Sequence, residues 1–505
     1  MATLQIRYQE ETRAVECAEN ELLGAAIATT DLPLEQPCAG RGTCGKCKTL
    51  AEGALSDFDA IENKFLLPSE RAANIRLACR ARVVGAARVT LTPVVVYSSK
   101  IFTRSNEFRA NDHPLGLAID LGSTTVAAFL VSLQTGEVYA GGAALNQQTI
   151  FGADVIARLA AAEKNAVKLS ALAQASVYKA IQSLKLSHKV RARVQRAVIV
   201  CNSAIHHLLM QLPTHTLAVL PFQPFERAAR LDAREFFGNL FPEHTRVGLP
   251  PLIGGFVGSD TTACLAYFNF QNTRAPLLAI DLGTNGEVMA TDGRGNILVT
   301  STAAGPAFEG VNISCGTRAI DGAIVNASVN AGHLRVETIG HRAPIGVTGS
   351  GLLGLVHGLR QLGKVDARGR MRVDGVGVNE MPIADQVKLT QWDVRELQKA
   401  KAAIRVAADV LLERLGVTPN DLARVILTGA FGGQLNVDAA LDLGLIPPVP
   451  REKIELLANG AGLGAAMFLR DDGFAIGAEL AARAKHLALD LDPDFNLRFV
   501  EAMGF

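Results

Sequence analysis

A chain of 505 residues is long enough for two to four domains with sizeable cores. Its 50 Lys and Arg against 49 Asp and Glu leave a formal charge of +1 with no charge block, which disfavours nucleic acid or an anionic membrane as partner. The apolar runs fall short of the ~20 residues of a membrane span, and the start, MATLQIRYQEE, lacks a signal-peptide core, so the expected location is the cytoplasm.

Leu4, Ile6 and Tyr8 alternate with polar residues, and Arg13, Val15 and Cys17 follow a polar turn, so two strands are expected. Glu19–Thr30 reads as a short helix with Asn20 as a candidate cap, ended by Asp31-Leu32-Pro33. Of eight cysteines, Cys17, Cys201, Cys264 and Cys315 are scattered and read as small buried hydrophobes. The other four cluster: Cys38, Cys44 and Cys47 are spaced C-x5-C-x2-C in PCAGRGTCGKC, and Cys79 follows alone. In a long chain expected in the cytoplasm this favours a metal or cluster site over disulfides. Four thiolates can hold two irons, two per iron. Zinc is the competing occupant, but structural zinc usually pairs two short C-x2–4-C units. Gly40, Gly42 and Gly45 let the loop wrap closely and aim N–H groups at the sulfurs, and Arg41 and Lys46 add positive charge. Residues 1–93 resemble a [2Fe–2S] ferredoxin domain, with the five-residue first gap of the adrenodoxin-like variant. That resemblance implies a β-grasp fold and one-electron transfer.

Residues 94–113 turn polar after Tyr97 and read as a linker. Leu115–Phe129, LGLAIDLGSTTVAAF, then reads as strand, Gly-containing turn, strand. Such a turn leaves backbone N–H groups free for a polyphosphate, and Asp120 at the strand end is placed to hold a hydrated Mg²⁺ or orient a water. Asn146–Leu159 starts as a loop and becomes a helix, with Asp154 read as a solvated first-turn acid rather than a cleft residue. A helical stretch over 160–190 and a strand at Ala197–Cys201 precede a helix carrying His206 and His207. Adjacent histidines face different ways and cannot chelate one metal, so both read as structural. Residues 213–250 look irregular, and Gly254–Asp260, GGFVGSD, is a loop that could line a cleft.

The hairpin pattern returns at Leu277–Glu287, LLAIDLGTNGE, with Asp281, Gly283, Thr284 and Asn285 in the matching places. Two such hairpins can grip a nucleotide from opposite sides. Farther on, Thr348-Gly349-Ser350-Gly351 opens a helix whose N–H groups suit a phosphate. Trp392–Leu415 is a long amphipathic helix on which Lys399 and Lys401 read as a solvated face. A strand over Ala423–Gly433 ends in Gly429, Gly432 and Gly433, where a base or ribose can lie on bare backbone. Gly460–Ala466 starts a small-residue helix suited to close packing between lobes.

This order of motifs resembles phosphate-1, phosphate-2, adenosine and connecting motifs of the actin/hexokinase/Hsp70-like ATPases. The implied fold class is multidomain: a β-grasp ferredoxin domain, then a two-lobed α/β, actin-like (ribonuclease H-like) ATPase with lobes 114–275 and 276–505. The combination resembles the reductive activators of corrinoid proteins over essentially the whole chain, through the cluster loop, FGADVIAR, GGFVGSD, DLGTNGE, AGPAFEG and LTGAFGG. The ATPase lobes look shorter than in the longer members. The resemblance implies a [2Fe–2S] cluster, ATP and Mg²⁺ as cofactors. It makes Cys38, Cys44, Cys47 and Cys79 iron ligands, and Asp120 and Asp281 positioners of Mg²⁺ and water. Ser123, Thr124, Thr125, Thr284 and Asn285, with Gly122, Gly283 and Gly349, would meet phosphates, and Gly429, Gly432 and Gly433 the adenosine. Implied partners are a corrinoid protein and an electron donor, with a homodimer as one option. The competing readings are a redox-regulated small-molecule kinase, whose extra catalytic acid would have to be Asp154 or Asp260, and a chaperone-like ATPase with a structural cluster.

Overall fold

Strand alternation decides the first sheet: in β1 (Ala2–Tyr8) Ala2, Leu4 and Ile6 are buried while Thr3, Gln5 and Arg7 face out. The computed structural model describes residues 1–8, 11–30, 32–91, 107–310, 312–429 and 435–505. β1 pairs antiparallel with β2 (Glu11–Cys17) and parallel with the strand Arg82–Leu91. With β3 (Glu21–Leu22), β4 (Lys48–Leu55), β5 (Ile75–Leu77) and β6 (Arg82–Leu91), the sheet runs β2-β1-β6-β4-β5, and β3 pairs with β6. Leu23 and Ile27 of α1 (Leu23–Ile27) join Leu4, Ile6, Leu77 and Val89 in its core. The helix expected over Glu19–Thr30 is therefore shorter. Asn20 takes a left-handed φ of 66° and does not cap it. The N–H groups of Asn20 and Leu23 bond Val83 and Ala81 carbonyls, so pairing to β6 claims this segment before helix can form.

Most of the linker proposed at 94–113 lies outside the described residues. Its end is fastened: the Arg193 guanidinium donates to the Phe108 carbonyl at 2.6 Å and to the His113 carbonyl at 2.6 Å.

The next strands are β7 (Leu115–Leu121), β8 (Thr125–Ser132), β9 (Val138–Leu145), β10 (Val194–Val200) and β11 (Arg246–Gly248), in the order β11-β10-β7-β8-β9. β7 is apolar at almost every position, as a strand covered on both faces must be. One cover is α3 (Val155–Ser183), interrupted at Asn165 and packed on β8 and β9. Both histidines of α4 (Ser203–Met210) are enclosed; Phe225 N–H bonds His207 Nε2 at 3.0 Å, so they are structural.

The pattern repeats with β12 (Leu277–Leu282), β13 (Gly286–Thr291), β14 (Ile297–Thr302), β15 (Arg424–Gly429), β16 (Ile454–Leu456) and β17 (Ala484–His486), ordered β16-β15-β12-β13-β14-β17. In both sheets the central hairpin has a parallel strand on one side and a meander strand on the other. The helix Gly460–Met467, from the second half of the sequence, covers the other face of β7 and packs on Ser259–Tyr267 of the first half. At Gly464 a Cβ would stand 2.0 Å from the Ala263 carbonyl, so only glycine permits this contact. The two halves thus share a core that includes Ala118, Phe129, Ala279, Ile426 and Ala465. Among the described residues no helix is long and apolar enough to cross a membrane.

Candidate active site

Asp120 ends β7 opposite Ala127 and beside Val200; Asp281 ends β12 opposite Glu287 and beside Thr428. Each hairpin closes tightly, Gly122 N–H on the Thr125 carbonyl at 3.1 Å and Gly283 N–H on the Asn285 carbonyl at 3.0 Å. Asn146 Nδ2 donates to the Gly122 carbonyl at 2.9 Å and Asn202 Nδ2 to Ser123 Oγ at 3.0 Å, which steady the first turn. The two turns face each other: the Thr124 and Thr284 hydroxyls are 3.3 Å apart. Both reach one carboxylate, Thr284 Oγ1 donating to Glu309 Oε1 at 2.6 Å and Thr124 Oγ1 to Oε2 at 3.2 Å.

Behind the turns lie Asp120, Asp260, Asp281 and Glu287. Each keeps some exposed surface because it lines the cleft, yet protein encloses it. Burial raises all four. Asp260 and Asp281 add to the rise of Asp120 and Glu287, while a hydrogen bond from Asn459 works against it at Asp120. Asp260 is pushed up to about 7 and Asp281 to about 6, the Cys264 thiol donating to Asp281 Oδ2 at 3.6 Å. Such a cluster in low dielectric needs protons or a cation. Among the described residues no three carboxylates, thiols or imidazoles converge on a point suited to one bare ion. The set fits Mg²⁺ in its usual form, held by one or two carboxylates, waters and the phosphates it arrives with.

Other expected residues fall variously. Thr125 and Asn285 flank the turns. Gly429 has φ 98°, and a Cβ there would stand 2.4 Å from Asp281 Oδ1, so bare backbone runs against the acid. Gly432 and Gly433 lie outside the described residues. Gly349 opens α5 (Gly349–Gln361) pressed on the Phe308 backbone, and the nearby Gly351 N–H is taken by Thr348 Oγ1 at 3.0 Å. Asp154 caps α3 through Ala157 N–H at 2.7 Å, as a first-turn acid should, and Asp260 is the acid that joins the cleft. Lys401 is not on a solvated face: it is 3% exposed, donates to the Gly504 carbonyl and lies 5.4 Å from the Phe505 ring centre. The chain terminus folds over that face and buries it. Lys399 stays outside, paired with Glu396 and over Trp392. Glu287, Glu309, Asn202 and Asn459 were not expected in the site. The first two sit inside DLGTNGE and AGPAFEG, and cross-strand register alone puts Glu287 beside Asp281.

The four clustered cysteines stand as two hydrogen-bonded pairs, Cys38 with Cys44 and Cys47 with Cys79. Cys38, Cys47 and Cys79 are buried and Cys44 is more open. The bond from Cys44, then the N–H groups of Thr43 and Gly42, hold Cys38 below the usual thiol range, and the bond from Cys47 does the same for Cys79. Two thiol pairs fit two irons. Lys46 is not a surface charge, for its Nζ donates to the Gly316 carbonyl at 2.8 Å, and Arg41 turns back onto the Cys38 carbonyl at 3.0 Å. The loop also receives Ala153 N–H on the Pro37 carbonyl at 3.1 Å, while Glu35 pairs with Arg318. The cysteine loop thus touches both halves of the ATPase, at Ala153 in one and at Gly316 and Arg318 in the other.

Fold and site together define a [2Fe–2S] ferredoxin domain joined to a two-lobed actin/hexokinase-like ATPase. Residues 6–84 match the 2Fe-2S iron-sulfur cluster binding domain, 115–273 the RACo middle region, and 275–505 the C-terminal domain of RACo, the ASKHA domain. The corrinoid activation enzyme RamQ of Eubacterium limosum is 32% identical over 439 residues, 80% of this chain and 72% of that one. A [Co(II) methylated amine-specific corrinoid protein] reductase of Methanosarcina barkeri is 24% identical over 416 residues, 75% of each chain. The solved reductive activator for corrinoid, iron-sulfur protein superposes with a TM-score of 0.69 at 22% identity, covering 99% of this chain and 98% of that one. The chain belongs to the family of reductive activators of corrinoid proteins.

Proposed function

We propose that the chain passes one electron from a [2Fe–2S] cluster to an inactive Co(II) corrinoid on a partner protein, regenerating Co(I), at the expense of Mg-ATP. The observation that carries this reading is the seat of the cysteine loop, bonded to one half through Pro37 and Ala153 and to the other through Lys46 and Gly316. A redox centre seated across both halves can feel a change in how they are held. When bound, the cluster supplies one-electron transfer at a potential typically near about −400 mV. The Co(II)/Co(I) step lies lower, and each ~59 mV of mismatch is a factor of ten in a one-electron equilibrium, so a coupled source of free energy is needed.

Cys38, Cys44, Cys47 and Cys79 would hold the irons. Asp120 and Asp281 would hold a hydrated Mg²⁺, and Asp260 would take the proton of an attacking water on its carboxylate. Ser123, Thr124, Thr125, Thr284 and Asn285 orient the phosphates, and Gly429 lies along the nucleotide. An external one-electron donor returns the cluster to its reduced form. The test is an anaerobic visible spectrum of a Co(II) corrinoid protein with this chain and reductant, with and without Mg-ATP. The Co(I) band is expected only with ATP and not with Cys44→Ser. Cluster reduction with persistent Co(II) across several candidate partners would sink the proposal and turn attention to phosphoryl transfer onto a small molecule.

A further inference from the structure

We propose that Glu309 is a positioning residue that relays nucleotide occupancy to the cysteine loop, by exchanging its two threonine partners for Arg158 and Arg318. This rests on the nucleotide reading of the cleft and goes beyond it. Glu309 now occupies the hydroxyls of Thr124 and Thr284, one from each hairpin. A polyphosphate seated on those turns needs the same hydroxyls and brings negative charge to the same enclosed place. Each hydroxyl has one proton to donate, so it serves the carboxylate or the phosphate but not both.

Two guanidinium groups stand ready for the displaced carboxylate, since Arg318 and Arg158 both act electrostatically on Glu309. Arg158 is 0% exposed; its Nε and Nη2 donate to the Gly152 and Ala153 carbonyls at 3.0 and 3.1 Å, while its Nη1 has no hydrogen-bond partner among the described residues. An unfilled donor on a buried cation is costly, and a carboxylate moving toward it would remove that cost.

Both arginines also hold the seat of the cysteine loop. Arg158 grips the Gly152 and Ala153 carbonyls, and the Ala153 N–H binds the Pro37 carbonyl, one residue before Cys38. Arg318 pairs with Glu35. Drawing either guanidinium toward Glu309 weakens a bond that fastens the loop to the ATPase halves. Nucleotide binding therefore loosens the loop, freeing the redox domain to meet its partner.

Hydrogen exchange of the cluster-loaded full chain, with and without Mg²⁺ and a non-hydrolysable ATP analogue, tests this. Both hairpins, 120–125 and 281–286, should become protected. Segment 35–47 should exchange faster by a factor of at least about five, the low end of ordinary coupling between sites. Glu309→Gln keeps an acceptor for the hydroxyls but removes the charge, so hairpin protection should remain and the response of 35–47 should vanish. Arg318→Met should make 35–47 exchange fast without nucleotide and leave little further response. Protected hairpins with an unchanged 35–47 segment in the wild type would overturn the relay while leaving the nucleotide reading intact. So would a full response in Glu309→Gln. Should that variant not bind nucleotide, Arg318→Met decides, and wild-type exchange there overturns the relay. Absence of protection at both hairpins would overturn the nucleotide reading and the relay with it.

Discussion

Removing the Glu62 carboxylate should unfasten the cysteine loop from inside the ferredoxin domain. Glu62, in α2 (Ala60–Phe65), is fully buried and accepts from Arg76 Nε at 2.9 Å, Arg76 Nη2 at 2.8 Å and Leu77 N–H at 2.9 Å. Arg76 is 5% exposed and stacks 4.3 Å from the Phe58 ring centre. In Glu62→Ala the guanidinium stays buried without its carboxylate, which costs about 3–5 kcal/mol. The orphaned Leu77 N–H adds about 1 kcal/mol or more. Against a domain stability of roughly 5–15 kcal/mol, that is a large fraction. Leu77 lies two residues before Cys79, so the local damage falls on one of the cysteines proposed to hold the cluster. The assay is an anaerobic thermal melt of the holoprotein followed at the visible absorption of the cluster, with far-ultraviolet circular dichroism following the ATPase halves. Cluster bleaching should move down by roughly 15 °C or more, at several degrees per kcal/mol for a domain of this size, while the ATPase transition stays in place. The double variant Glu62→Met/Arg76→Leu removes both charges and should recover most of the loss. A single variant that bleaches within about 3 °C of wild type, or a double variant no better than the single, would refute the reasoning.

Three other outcomes are expected. Gly429→Ala adds a Cβ at left-handed φ, costing about 1–2 kcal/mol, and drives it against Asp281 Oδ1. Calorimetry should show Mg-nucleotide affinity reduced by roughly tenfold or more, the equivalent of about 1.4 kcal/mol, and unchanged affinity would argue that Asp281 lies outside the metal path. His206 is enclosed with neither ring nitrogen hydrogen-bonded among the described residues, and burial lowers it to about 3. Unfolded histidine binds its proton near pH 6.5, so stability rises with pH from about 3 to 6.5, and at pH 5 the buried neutral ring costs about 2 kcal/mol. His206→Leu should flatten the loss of stability on acidification below pH 6.5, read from denaturant midpoints against pH. Lys401 is likewise held down to about 8 by burial, so the folded chain binds fewer protons than the unfolded one between about pH 8 and 10.4, and stability should rise there. Lys401→Met should remove that part of the rise, and an identical profile in wild type and variant would count against the burial of the amine.

Much of the architecture was legible because it is written in short patterns. Apolar alternation around Leu4 and Ile6, the apolar strands at Leu115 and Leu277, and the repeated Asp-Leu-Gly turn each reflect geometry set within ten or so residues. The helix expected at Glu19–Thr30 is cut short by backbone partners, Ala81 and Val83, that lie about sixty residues away and leave no local signal. Lys401 was misjudged because the chain end that covers it is a hundred residues off.

By itself the sequence determined which residues could do chemistry: four thiols at cluster spacing, two acids at the ends of apolar strands, and glycines where backbone must be bare. Local spacing decides these, because a loop or hairpin brings its own residues together. Only the tertiary structure decided which of them meet. Thr124 and Thr284, 160 positions apart, come within 3.3 Å because the two sheets are packed hairpin to hairpin. Glu287 joins Asp281 through strand register, Glu309 bridges the turns, and the cysteine loop rests on both ATPase halves through Pro37 and Lys46. No spacing along the chain encodes such meetings, since they follow from how lobes pack and where each strand comes to rest.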